Sequence, residues 1–199
     1  MQLHLNPSLR TRFASNVDIL RGADASAFVQ VAGIVGFAAL TAAGAQLRVA
    51  VWEVPFTLQT LAVYGSGLFL GWRNGMLAQL LYLTAGLFMP VFAGDGHGLT
   101  YLSGAVSTGY LIGYPLAAIV GGWLSTRWNS GFGSIVSLLA ASAVLFTCGV
   151  IWLHYAAGHA TWFDSIDRGW LRFIPIDMLK IVAVASLYAG TRRMTRKDA

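Results

Sequence analysis

Charged residues and cysteine are scarce in this sequence. Of its 199 residues, only 11% are Asp, Glu, Lys or Arg, and 56% are hydrophobic. Because a soluble domain carries roughly 25% charged residues, this composition excludes an ordinary water-soluble fold. The single cysteine, Cys148, excludes an intramolecular disulfide and a multi-cysteine metal site. We therefore expect an all-α integral membrane protein.

Motifs for nucleotide or hydrolytic chemistry are also missing. The chain has no Gly-x4-Gly-Lys-Ser/Thr loop, no nucleophile elbow and no zincin motif, and its four histidines are scattered. The net charge of +5 comes from basic residues placed between apolar runs, not clustered as nucleic-acid binding requires. We expect neither an enzyme nor a nucleic-acid-binding protein, and no metal or cofactor on this chain.

Five charge-free stretches are long enough to cross a membrane, since one helical crossing needs roughly 20 mostly apolar residues. These stretches are residues 25–47, 54–72, 74–94, 96–126 and 128–163. Within the last two, residues 96–98 and 154–159 are polar or Gly-rich and are assigned to loops. A sixth apolar run, from about Trp170 to Gly190, contains Asp177 and Lys180. The sequence therefore predicts six transmembrane helices.

The distribution of basic residues predicts the orientation, because Lys and Arg are enriched in cytoplasmic segments. If both termini are cytoplasmic, that side receives nine basic residues: Arg10, Arg12, Arg21, Arg73, Arg127, Arg192, Arg193, Arg196 and Lys197. The other side receives Arg48, Arg168 and Arg172. Three loops then face outward, around residues 48–56, 94–103 and 155–170, and together they cover a pocket.

No hydrophilic linker separates the apolar runs, so one membrane domain is expected. We divide the chain into a cytoplasmic N-terminal arm (1–28), a six-helix substrate-binding domain (29–191) and a basic cytoplasmic tail (192–199).

Asp177 and Lys180 are the two ionisable residues inside an apolar run. A charged side chain at the bilayer centre costs about 2.5–3.5 kcal/mol on insertion scales, so such residues usually face the protein interior and mark a functional site. At a spacing of three they share one helical face. The competing interpretation is that they neutralise each other to permit insertion.

Near the outer side, the glycines around His97 and Gly98 are expected to bring a tight loop close to a ligand, with Tyr101 nearby.

Small residues form a stripe in the first span, at Ala32, Gly36, Ala39 and Ala43. Such stripes let helices approach closely in lipid, either within the bundle or against a partner.

Four segments of the sequence resemble the BioY family, the biotin-specific S components of energy-coupling-factor (ECF) transporters. They are Val54 to Val63, Pro90 to Gly94, Gly109 to Ala118 and Phe173 to Lys180, in the order and spacing of the family over about residues 30–190.

The resemblance implies a six-helix S-component fold in the bacterial cytoplasmic membrane and biotin as the substrate. It also implies an ECF coupling transmembrane subunit and ABC-type ATPases as partners, with ATP hydrolysed by those partners. Asp177 is expected to accept from the ureido N–H groups of biotin and Lys180 to donate to the ureido oxygen. Gln59, Tyr110 and Tyr101 are expected as further contacts.

The resemblance further implies docking on the coupling subunit through an Ala-x-x-x-Ala pattern in the first helix. Ala39 with Ala43 fits this pattern, and Ala38 with Ala42 fits it equally.

Three alternatives stay open at this point. The first is an S component for another small vitamin, which would keep the fold and exchange pocket residues. The second is a stand-alone proton-coupled carrier in which Asp177 titrates. The third is an intramembrane enzyme that uses Asp177 with a histidine.

Overall fold

The computed structural model describes residues 21, 25–50, 53–94, 96–128 and 130–197, with backbone only for residues 194–197. The elements in chain order are helix α1 (Ala27–Gln46), strands β1 (Arg48–Val49) and β2 (Phe56–Thr57), helices α2 (Gln59–Phe88), α3 (Gly98–Gly104), α4 (Thr108–Arg127), α5 (Gly131–Ala156) and α6 (Trp162–Gly169), a 3-10 turn (Leu171–Phe173) and helix α7 (Ile174–Lys197). The strands pair antiparallel, with Arg48 opposite Thr57.

Helix α2 is two helices that fold back on each other at Gly71. Gly71 has φ 77° and ψ 175°, a conformation that glycine adopts without steric cost. Gln79 Nε2 donates to Ser66 Oγ, and a Cβ atom on Gly75 would lie 2.8 Å from the Ser66 carbonyl oxygen. These contacts require residues 59–70 and 72–88 to run antiparallel. The turn predicted between the second and third spans is thereby confirmed.

Short helices occupy two of the segments predicted as outward loops. Helix α3 precedes α4 at an angle of 97°. Helix α6 lies within predicted loop 155–170, where the Thr161 side chain caps it by accepting from the Asp164 amide. Helix α5 continues through Ala156, so assigning His154 to a loop was wrong. A polar stretch next to a membrane span still forms a helix when a cap satisfies its first amides.

The helices pack in the order α1, α2, α4, α5, and α7 lies against both α2 and α5. Buried side chains of α2, α4, α5 and α7 form one core. Helix α1 packs mainly on α2 and exposes large apolar side chains, including Phe28 (82% exposed) and Val31 (58%). Exposed apolar surface of this kind suits contact with lipid.

By length and apolar composition, three helical segments can cross a membrane, Ala27–Gln46, Gly131–Ala156 and Trp162–Arg193, and the bent pair of α3 with α4 makes a fourth. Together with the two halves of α2, the described part of the chain holds six long helical segments, in the predicted order.

The predicted terminal segments are described only in part. Most of the arm 1–28 lies outside the described residues, as do Arg10, Arg12 and Asp95, and the side chains of Arg196 and Lys197 are not described. Helix α7 continues through Lys197, so the boundary proposed at residue 191 is not the end of a helix.

Candidate functional site

A small cavity, partly open to solvent, lies between α2, α4, α5 and α7, at the end of the bundle that carries the β-hairpin and the 3-10 turn. Polar and apolar side chains share its wall: Val54, Pro55, Thr57, Gln59, Thr60, Ala93, Tyr101, Ser107, Tyr110, Leu111, Tyr114, Leu145, Phe146, Phe173, Ile176, Asp177 and Lys180. An apolar pocket with a few convergent polar groups is the usual form of a small-molecule site.

Asp177 lines this cavity from the first turn of α7 and is only 3% exposed. Tyr64 donates a hydrogen bond to Oδ1 (2.8 Å) and Ser142 donates one to Oδ2 (2.6 Å). The amide groups at the start of a helix also favour a negative charge. Hydroxyl donors and the helix N-terminus together stabilise a carboxylate that would otherwise be costly to bury.

Lys180 reaches the same cavity one turn later on α7. Its Nζ donates to the Thr57 carbonyl oxygen (2.6 Å) and to Thr60 Oγ1 (3.0 Å). Among the described residues, the ion pairs join Glu53 to His159 and Arg168, and Asp167 to Arg172; Asp177 and Lys180 do not form one. Both charged groups face the cavity, and each has hydrogen-bond partners of its own.

Gln59 also lines the cavity, at the start of α2. Its Nε2 donates to the Tyr82 hydroxyl (2.7 Å) and its Oε1 accepts from Thr57 Oγ1 (2.9 Å). With both ends of the amide held and the residue 2% exposed, Gln59 has a fixed orientation at the cavity wall.

Tyr110 and Tyr101 form part of the cavity wall. The Tyr110 hydroxyl donates to the Gly169 carbonyl oxygen (2.7 Å), and the Tyr101 hydroxyl donates to the Ala93 carbonyl oxygen (3.0 Å). Tyr101 also stacks on Phe92, with ring centroids 5.2 Å apart. Each ring therefore presents a fixed aromatic surface to the cavity.

His97 and Gly98 do not line the cavity. His97 is exposed and precedes α3, and Gly98 begins that helix with a φ of 80°. The contribution of this loop comes instead from Tyr101, one turn further along α3.

Several residues of the site were not predicted from the sequence. Tyr114 lines the cavity four residues after Tyr110, on the same helical face, and that spacing was a usable signal. Thr60 and Tyr64 likewise lie four residues apart on α2. Ser142 gave no signal, because serine is common in membrane helices and its contact with Asp177 depends on the packing of α5 against α7.

An ion-pair cluster connects two segments beside the cavity, both of which were predicted as outward loops. Glu53 accepts from Arg168 Nη1 (2.7 Å) on α6, and it contacts His159 Nε2 (2.8 Å) in the loop before α6. Burial raises the pKa of Glu53, but the hydrogen bonds from Arg168 and His159 outweigh it and hold the pKa below its usual value. Because Val54 and Pro55 follow Glu53 and line the cavity, the cluster joins this part of the wall to α6.

The two alanine pairs of α1 lie on different faces. Ala39 and Ala43 are exposed, whereas Ala38 is 7% exposed and Ala42 packs against the core. Of the two pairs, only Ala39 with Ala43 is available to a partner.

These features define a helical membrane protein with a partly enclosed cavity for a small polar ligand. The family model described as "BioY family" matches residues 17–197, and this chain belongs to that family.

Relatives and a solved structure agree with this assignment. The chain is 36% identical over 165 residues to the probable biotin transporter BioY of Lysinibacillus sphaericus, covering 77% of this chain and 82% of the relative. It is 34% identical over 159 residues to the biotin transporter BioY of Thermotoga maritima (79% and 92% covered). Its fold is similar to the crystal structure of the S component for biotin from an ECF-type ABC transporter, with a TM-score of 0.75, 21% identity, and 82% and 90% of the two chains covered.

Proposed function

We propose that this protein binds biotin and serves as the substrate-specific S component of an ECF-type transporter in the bacterial cytoplasmic membrane. The observation that carries the proposal is the cavity in which Asp177 and Lys180 lie on one face of α7. Membership of the BioY family and the similarity to biotin transporters support the same substrate.

The wall of the cavity is chemically suited to biotin. Biotin presents a ureido ring with two N–H donors and one carbonyl acceptor, an apolar sulfur ring and a valerate carboxylate. An Asp177 oxygen accepts from one of these N–H groups, and the third N–H donor of Lys180 meets the ureido oxygen. Phe146 and Phe173, whose ring centroids lie 5.8 Å apart, provide an apolar surface for the sulfur ring.

Transport energy comes from partner subunits in this proposal. The chain lacks a nucleotide-binding loop, so ABC-type ATPases hydrolyse ATP and a coupling transmembrane subunit docks on the exposed face of α1. Both termini lie in the cytoplasm and the cavity opens outward. Arg21 donates to Tyr188 and to Ser125 Oγ (2.7 Å), which lies near the C-terminal end of α4, so Arg21 lies at the same end of the bundle as the C-terminal part of α7.

Native mass spectrometry of the purified protein tests the substrate. A biotin-sized adduct should be retained when biotin, thiamine, riboflavin and niacin are supplied together. Preferential retention of another vitamin would replace biotin in the proposal. Uptake that needs a proton gradient, and persists without ATPase partners, would favour a stand-alone carrier.

A further inference from the structure

The carboxylate of Asp177 is held from the side away from the cavity by two hydroxyl groups. Tyr64 on α2 donates to Oδ1 and Ser142 on α5 donates to Oδ2. Neither residue belongs to the cavity wall. We propose that Tyr64 and Ser142 are positioning residues that fix the orientation of the Asp177 carboxylate for a ligand with an N–H donor. This inference rests on the proposed function, which makes the ureido ring of biotin that ligand.

Each carboxylate oxygen has two lone pairs, so one hydroxyl on each oxygen leaves an acceptor site on both. A cyclic urea presents its two N–H groups on either side of its carbonyl, where they diverge, so one carboxylate accepts from only one of them. A carboxylate that is free to rotate about its terminal torsion meets such a ligand in many orientations. Two donors on different helices restrict that rotation, and this lowers the entropy lost when the ligand binds.

The two hydroxyl groups are themselves immobile. Tyr64 is 1% exposed and Ser142 is 4% exposed, and both lie in helices that pack against their neighbours along much of their length. Because their positions are set by the packing of α2 and α5, they transfer that rigidity to Asp177.

A purely structural role makes a different prediction. Two hydroxyls could serve only to satisfy a buried carboxylate. Removing one would then lower stability and weaken all ligands alike. Positioning, in contrast, affects the part of the ligand that Asp177 contacts. Discrimination between N–H and N–methyl at the ureido ring therefore separates the two roles.

The test measures binding of biotin, and of biotin methylated on one ureido nitrogen, by isothermal titration with the full chain in detergent. Tyr64→Phe and Ser142→Ala each remove one hydroxyl group. Tyr188→Phe is the control for Tyr64→Phe, because Tyr188 is also a tyrosine that is only 1% exposed. Ser137→Ala is the control for Ser142→Ala, because Ser137 is also a buried serine on α5 but donates to its own helix. Thermal unfolding of every variant without ligand reports on folding.

We expect Tyr64→Phe and Ser142→Ala to weaken biotin at least tenfold and to reduce the preference for biotin over its methylated form. Both controls should stay within threefold of wild type. In an Asp177→Asn background, Tyr64→Phe should have little further effect, because the hydroxyl acts through the carboxylate.

Three results overturn the positioning role. The first is unchanged biotin affinity in both variants, and the second is an equal loss of affinity for biotin and its methylated form. The third is that Tyr64→Phe weakens biotin as much in the Asp177→Asn background as in the wild-type protein. If Tyr64→Phe fails to fold, Ser142→Ala decides alone. Absence of biotin binding by the wild-type protein overturns the proposed function, and with it the ligand assigned to this carboxylate.

Discussion

Lys180 Nζ lies 2.6 Å from the Thr57 carbonyl oxygen, a backbone atom of β2. The ammonium group is therefore fixed by the main chain at the N-terminal end of α2, and its position does not depend on an ion pair with Asp177. Because a backbone carbonyl cannot be removed by a side-chain substitution, this contact should persist in most variants of the site. The cavity thus contains a cation and an anion that are held separately, each able to contact a different part of one ligand.

Substitution of Lys180 and of its side-chain partner should have unequal effects on biotin affinity. Lys180→Met removes the charged donor, so a loss of at least about 1.5 kcal/mol, roughly tenfold, is expected. Thr60→Val removes one acceptor of the ammonium group and keeps nearly the same side-chain shape. Because the Thr57 carbonyl oxygen still holds the ammonium group, we expect biotin affinity to fall by less than about threefold. Isothermal titration measures both. Equal losses in the two variants would mean that Thr60 contacts the ligand directly.

A bulky residue on the exposed face of α1 should block transport without affecting the cavity. Ala39→Trp is expected to leave biotin affinity within about threefold, under ~1 kcal/mol. Uptake by cells that contain the coupling module should fall sharply, because helix association in lipid depends on close packing. Ala38→Trp is the matched control: Ala38 is buried, so this change should instead lower the thermal stability. Normal uptake by Ala39→Trp would place the docking surface elsewhere.

The sequence predicted the parts of this protein that depend on local composition. Apolar length and the basic residue Arg73 placed a turn between the second and third spans, and the structure has it at Gly71. The charge of Asp177 and Lys180 inside an apolar run identified two residues of the cavity wall.

Features that depend on packing could not be predicted in the same way. Ala38 and Ala39 are adjacent alanines, and only the contact of α1 with α2 buries one and exposes the other. Ser142 lies 35 positions from Asp177 in sequence and meets it only through the packing of α5 on α7. Helices α3 and α6 are short, and their polar composition resembles that of a loop.

Thiol labelling tests the orientation of the chain. In a Cys148→Ser background, Gly104→Cys and Ala160→Cys should react with a membrane-impermeant reagent in intact cells, whereas Gly131→Cys should react only after lysis. All three positions are exposed, and a Cβ atom on Gly104 or Gly131 meets no neighbour within 4 Å. Labelling of Gly131→Cys from outside would contradict cytoplasmic termini.

The cluster around Glu53 should slow release of biotin. Glu53→Gln removes its charge-assisted contacts with Arg168 and His159. Since partly exposed ion pairs contribute at most about 1 kcal/mol, we expect biotin dissociation to become up to about fivefold faster at neutral pH. Asp167→Asn, which disrupts the Arg172 pair, is the control and should have a smaller effect.

The pH dependence of this effect follows from the lowered pKa of Glu53. Because the pKa is lowered, the Glu53 carboxylate stabilises its contacts with Arg168 and His159 at every pH above the usual glutamate pKa of about 4.3. This stabilisation is lost as the pH falls through the lowered pKa. Stopped-flow release should therefore separate wild type from Glu53→Gln at pH 5–7, with the difference shrinking below about pH 4. Identical rates at pH 7 would exclude a role for the cluster in retention.

Isothermal titration of biotin into purified wild type and Asp177→Asn tests whether Asp177 belongs to the biotin site. The amide oxygen of the substituted side chain can still accept from one hydroxyl, so the variant should remain folded, and thermal unfolding checks this. Biotin should bind wild type at a single class of site. The variant should bind at least about tenfold more weakly, because a hydrogen bond to a charged acceptor is worth about 1.5–3 kcal/mol. Equal affinities in the two proteins would place the biotin site away from Asp177 and contradict the account.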